Sequence, residues 1–168
     1  EENGKTFEEN ALIKAKEASK ITKTYCLADD SGLCVDALNG EPGIYSARYA
    51  DTADKRIDKL LKNLEGVVDR SAKFICAMVV ANKKGEILYK TQGECTGQIM
   101  YERKGSNGFG YDPIFISEDG NGKTTASMPL SFKETYSHRA KAVKMLMEYL
   151  RSRFPGDHAA VMTADDQK

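Results

Sequence analysis

The stretch from Ala72 to Gly97 limits the fold more than any other part of the chain. Ala72 to Ala81 is an apolar run, Asn82-Lys83-Lys84-Gly85 has turn chemistry, and Glu86 to Gly97 alternates through Ile87, Tyr89 and Thr91. Strand-forming patterns on either side of a glycine-bearing turn predict an antiparallel pair. Helical periods bracket that pair. Thr6-Phe7-Glu8-Glu9 has the T-x-x-E form of a capping box, and Ala11, Leu12, Ala15 and Ala18 then recur at helical spacing to about Lys20. Ile57, Leu60, Leu61 and Leu64 make a second helical stripe with Gly66 placed to stop it. Ser137 reads as the N-cap of a last helix whose stripe is Val143, Leu146, Met147 and Leu150. Two short strands are expected between these, Tyr25 to Ala28, ending at Asp29-Asp30-Ser31-Gly32, and Ile114-Phe115-Ile116. Leu33 to Leu38 is a further apolar stretch before an Asn39-Gly40 turn, and Glu118 to Thr125 a polar loop. Helices interleaved with strands give an α/β class.

A chain of 168 residues, 40% of them hydrophobic, can build one real core. One domain is expected over 1–153, with 154–168 as a tail, because Pro155-Gly156 breaks the last helix and no periodicity follows. Lys plus Arg and Asp plus Glu both number 25. A zero net charge argues against DNA, RNA or an anionic membrane as the main partner, since such footprints carry a basic excess. The longest apolar run, Phe74 to Ala81, falls far short of the roughly 20 residues that span a bilayer. The opening Glu1-Glu2-Asn3-Gly4-Lys5 has no apolar segment of a secretory signal, so a cytoplasmic location is expected. Cys26, Cys34, Cys76 and Cys95 form no C-x-x-C and lie far in sequence from His138 and His158. Reduced thiols are expected, three of them core residues in strand-like surroundings, and no zinc site.

Three features could carry chemistry. Adjacent carboxylates such as Asp29 and Asp30 repel unless a cation or donors compensate, and a divalent metal is one compensator. A solvated turn is the plainer reading. If the strand continues extended through them, only one of the two can face a given site. Glu9 joins them only if the fold brings it near Asp30, for its capping-box task is complete in itself. Second, Gly105, Gly108 and Gly110 give G-x-x-G-x-G, which matches no named phosphate loop, with Phe109 held out between two glycines to stack on a flat ring or to tuck into the core. Third, Ser137-His138-Arg139 places two potential cations in a first helical turn, where the helix dipole disfavours positive charge. Something negative or electron-rich is expected nearby. With Lys133 upstream, the segment reads as a pocket wall for a phosphorylated or carbonyl-bearing ligand, or as solvated basic residues.

Taken together, the sequence closely resembles the inosine triphosphate pyrophosphatase family, enzymes that remove nonstandard purine nucleotides such as ITP, dITP and XTP. The likeness rests on Thr6-Phe7-Glu8-Glu9-Asn10-Ala11 with Lys14-Ala15, Ala28-Asp29-Asp30-Ser31-Gly32-Leu33, Pro42-Gly43-Ile44-Tyr45-Ser46-Ala47-Arg48-Tyr49, Gly108-Phe109-Gly110-Tyr111-Asp112-Pro113-Ile114-Phe115 and Ser137-His138-Arg139. These stand in family order between Thr6 and about Leu150. The resemblance implies a two-lobed α/β fold around a long mixed β-sheet flanked by helices, an active site in the cleft between lobes, a homodimer and Mg²⁺ as cofactor. Glu9 and Asp30 would hold the metal, and Asp30 would act in catalysis by activating water, giving the nucleoside monophosphate and pyrophosphate. Ser31 would contact substrate, Phe109 would stack on the purine, and Gly110, Tyr111 and Asp112 would complete that wall. Lys133, Ser137, His138 and Arg139 would surround the base and read its 6-oxo edge.

Two departures belong to the same reading. Family members open with a strand and a Ser/Thr-x-Asn-x-x-Lys loop that grips the triphosphate, and this sequence begins after that point, so a truncated, catalytically silent fragment that binds purine nucleotide or self-associates is the alternative expectation. Ser127 also stands where an acidic residue is usual, while Lys133 keeps its spacing to His138.

Overall fold

The computed structural model describes residues 3–154. Helix α1, Phe7–Thr22, starts where the capping box places it: Thr6 Oγ1 accepts the Glu9 amide at 3.1 Å. Glu9 closes the box one residue further back, its Oε2 accepting the Lys5 N–H at 2.6 Å. Helix α2, Ala53–Asn63, is capped by Thr52 and buries Ile57 and Leu60, with Leu64 at its C-cap and Gly66 at φ 74°. The long strands β2, Ser71–Ala81, and β3, Ile87–Ile99, pair antiparallel across the Asn82 to Gly85 turn as their alternation requires.

Strand β1 differs from its sequence reading. It runs unbroken over Cys26–Val35, so Asp29-Asp30-Ser31-Gly32 is mid-strand and not a strand end. Gly32 marks a close approach instead of a turn. A Cβ there would collide with the Gly43 carbonyl oxygen and lie 2.6 Å from Ser46 Oγ. The 3₁₀ segment Gly43–Arg48 thereby packs directly on the strand, and Ser46 Oγ accepts the Leu33 amide at 2.8 Å. The Leu33 to Leu38 stretch divides between the end of β1 and a 3₁₀ turn at Asp36–Leu38, followed by the expected turn with Asn39 and Gly40 at positive φ.

Strand β4, Phe115–Ser117, completes a sheet ordered β1-β2-β3-β4, in which every pairing is antiparallel among the described residues. The resemblance implies a long mixed sheet; among the described residues the sheet has four strands and no parallel pairing. Register assigns the faces. Asp29 pairs with Met78, Ser31 with Cys76 and Leu33 with Phe74, and Cys76 in turn with Gly93, so these side chains share one face. Ala28, Asp30 and Gly32 share the other with Val79, Ala77 and Ile75.

Helix α1 covers the second face through Ala11 and Ala15 packed on Ala28, Val79 and Ala81. Helix α4, His138–Arg153, covers part of the first through Ala142 and Leu146 on Cys76, Met78 and Val80, with Val143 and Leu150 at the margin. The rest of that face carries the largest cluster, built from Leu33, Val35, Ile57, Leu60, Leu64, Ile114 and Phe115 among others. Short helix α3, Leu130–Tyr136, had no sequence signal beyond the proline before it. Cys76 and Cys95 are buried, Cys26 and Cys34 are half-buried, and all four are free thiols. No described helix is long and apolar enough to cross a membrane. Of the expected tail, only Phe154 is among the described residues; it caps α4 and meets Tyr25 edge-on at 6.2 Å.

Candidate active site

The acid pair is divided between the two faces of β1. Asp30 turns to α1, where its Oδ2 accepts from Asn10 Nδ2 at 3.1 Å and its Oδ1 lies 3.6 Å from Lys14 Nζ. Asn10 is fully buried, and its Oδ1 accepts the Gly4 amide at 2.8 Å. Lys14 Nζ also donates to the Asp29 carbonyl at 2.9 Å. Asp29 turns to α4, where its Oδ2 accepts from Arg139 Nη2 at 2.7 Å. Alternation places Ser31 on the Asp29 face. Each acid thus has a cation of its own face, and the repulsion expected of neighbouring carboxylates is met by protein groups.

Glu9, in the first turn of α1, holds the Lys5 amide, and Asp30 faces the same helix through Asn10 and Lys14; these are the two carboxylates that the resemblance assigns to a metal. Among the described residues no group of three or more His, Cys, Asp or Glu could hold a metal ion by protein ligands alone. The donor set, two carboxylates without thiolate or imidazole, fits a hard cation that keeps its waters and shares a substrate's phosphate oxygens.

On the other side, Ser137 caps α4 as expected, accepting the Ala140 amide at 3.0 Å. His138 corrects the expectation of two cations in that first turn. Its ring stacks on Phe74 at 5.0 Å, and burial, with Arg139 and Lys133 adding to it, pushes its pKa down to about 3. A neutral imidazole stands there at pH 7, and Arg139 alone carries the charge in that turn. The negative group that the helix dipole called for is Asp29.

Asp112 organises the glycine loop. It is buried, and its Oδ2 accepts both the Phe109 amide at 3.0 Å and Lys133 Nζ at 2.8 Å. Gly108, at φ 77°, leaves that oxygen room, since a Cβ would strike it. Phe109 is 79% exposed, which decides between the two sequence readings: the ring stands outside the core, with Lys133 Nζ 3.9 Å from its centroid. Gly110, at φ 58°, follows with open space where a Cβ would stand. Tyr111 anchors the loop from within. Its ring belongs to the core, its hydroxyl donates to the Ser46 carbonyl at 2.7 Å, and burial pushes its pKa up to about 12. It ties the glycine loop to the 3₁₀ segment beside β1. A hollow of about 20 Å3 among Phe74, Phe115, Phe132, Lys133 and His138 has room for about one water.

The sequence assigns no site role to Asn10 or Lys14. Asn10 had a usable signal, because a short amide inside a helix, disfavoured by propensity, invites a search for its partner.

A family model described as the Ham1 family matches residues 1–149. A protein of Synechocystis sp. named dITP/XTP pyrophosphatase is 49% identical over 147 residues, covering 88% of this chain and 75% of that protein. The structure of a HAM1 protein from Coxiella burnetii superposes with a TM-score of 0.86 at 42% identity, over 90% of this chain and 80% of that one. The Staphylococcus aureus Ham1 protein gives a TM-score of 0.87 at 43% identity, over 91% and 80%.

Proposed function

The chain belongs to the Ham1 family, and from that premise we propose that it hydrolyses nonstandard purine nucleoside triphosphates, ITP, dITP and XTP, to the monophosphate and pyrophosphate, with Mg²⁺ as cofactor. The observation that carries this reading is the division of labour at mid-β1: Asp30 faces Asn10 and Lys14 on the α1 side, while the Phe109, Lys133 and Arg139 group gathers on the other. The relative named dITP/XTP pyrophosphatase supports the substrate class.

Glu9 and Asp30 would hold the ion. Bound there, it would neutralise charge on the phosphates and lower the pKa of water. Asp30 accepts the proton of the attacking water, with its carboxylate oriented by the buried Asn10 amide. Lys14 adds positive charge beside it, on the side where the phosphates lie. At the base, the purine stacks on the exposed Phe109 ring, and Lys133, which at rest covers that ring and pairs with Asp112, gives up that place to reach the edge of the purine. Lys133 and Arg139 donate to a 6-oxo group. Adenine would instead turn its 6-amino hydrogens on these donors, and unpaired polar groups in a closed site are costly. Neutral His138 contributes one N–H donor and one acceptor. Ser31 and the Ser137 hydroxyl complete the contacts, with Gly110 open beside the ring. A homodimer, implied by the resemblance, and the cytoplasmic location expected from the sequence belong to the same reading.

Mg²⁺-dependent pyrophosphate release from ITP, XTP, GTP and ATP tests it. Selective release from ITP and XTP is expected. Silence on all four, from a folded sample, would overturn the proposal.

A further inference from the structure

Asp29 has no task in the reaction just described, yet it makes a tight ion pair, 2.7 Å from Arg139 Nη2. The pair sits at the lip of the site, Arg139 36% and Asp29 15% exposed in their side chains. Arg139 lies in the first turn of α4, where the helix dipole works against a cation, and the carboxylate offsets that. A guanidinium is a rigid planar fork with five N–H groups, so fixing one nitrogen sets the direction of the others. The neighbouring strands hold the rest of the turn. On β2, Phe74 stacks on the His138 ring. On β3, Gly93 leaves the His138 carbonyl and the Ala142 amide pressed against the strand, for a Cβ would strike both. Three adjacent strands each fix one point of the turn, and Asp29 fixes the point that carries charge.

Resting on the proposed function, we infer that Asp29 is a positioning residue that aims Arg139 at the 6-oxo edge of the purine, and so sets purine discrimination, while its neighbour Asp30 serves the water. One strand residue then governs which base is accepted and the next governs the chemistry.

The test compares wild type, Asp29→Asn, Arg139→Gln and the double variant in steady-state turnover of ITP and ATP, and in binding of IMP and AMP without metal. Asp29→Asn is expected to raise KM for ITP roughly tenfold, about the worth of one charge-assisted hydrogen bond, and to leave kcat within about threefold. The preference for ITP over ATP, and for IMP over AMP, falls about tenfold. The double variant is expected to be no worse than Arg139→Gln, since Asp29 acts through that residue. Unchanged discrimination in Asp29→Asn, or costs that multiply in the double variant, would overturn the inference. Should Asp29→Asn fail to fold, Arg139→Gln against the double variant decides alone, because neither leaves the arginine unpaired. Active wild type with discrimination unaltered in Asp29→Asn removes this inference only. A wild type that neither turns over ITP nor binds IMP removes the proposed function with it.

Discussion

The two faces of the sheet at β1 are built differently. On the α1 face, alanines let the helix come close, and the polar content is a compact set, buried Asn10 with Asp30 and Lys14. On the α4 face, rings and a long fork dominate: Phe74 against His138, Arg139 against Asp29, Lys133 over Phe109. The first arrangement suits a group that must hold one carboxylate still. The second suits a surface that measures the shape and polarity of a flat ligand. Strand alternation is what permits both within two residues, because consecutive side chains point apart and each acid meets its own cation.

The largest test of this contrast is Asp30→Asn. Loss of the proton acceptor should lower kcat on the order of a thousandfold with the unfolding midpoint little changed, whereas Asp29→Asn spares kcat. Equal kcat losses would erase the distinction between the faces. Gly32→Ala and Gly93→Ala come next, one glycine from each face. In both, an added Cβ meets backbone atoms that no rotamer change can move, and urea denaturation should show each less stable by about 1–3 kcal/mol. Gly93→Ala should also weaken base preference by pushing the α4 turn outward, and Gly32→Ala should not; the reverse pattern would break the comparison.

The most gradual effect is the pH dependence from His138, spread over several pH units. Its folded pKa of about 3 lies below the ordinary 6.5, so between these values the unfolded chain binds a proton that the folded chain does not. The stability it contributes is complete above pH 6.5 and is lost as pH falls toward 3, at no more than about 1.4 kcal/mol per unit. Thermal midpoints of His138→Gln should fall less steeply over this range than those of wild type. Parallel slopes would mean that the imidazole takes up its proton in the folded state.

Helix starts were the most legible part of the fold, because a cap is a local interaction: Thr6 and Ser137 cap where the sequence puts them. The hairpin of β2 and β3 was legible from its turn and alternation. Mid-strand Gly32 was not, since a glycine that admits a neighbouring backbone has the same letter as one that makes a turn, and only the distant Gly43–Arg48 segment separates the two. Within the site, the need for an anion near Arg139 could be anticipated from the helix dipole, whereas the flanking glycines left Phe109 open between solvent and core. The neutral state of His138 and the core position of Tyr111 depend on Phe74 and Ser46, remote in sequence and brought close only by the folded sheet.

The alternation of β1 also restricts what kinds of genetic change the site tolerates. Substitutions there have graded effects, but insertions do not. With Gly32 held against Gly43 and Ser46, one residue added between Asp30 and Gly32 would turn Asp30 toward Arg139 and Asp29 toward α1, two places from where Asn10 waits. A single codon would exchange the two acids between their faces while leaving every side chain of the pair in the sequence.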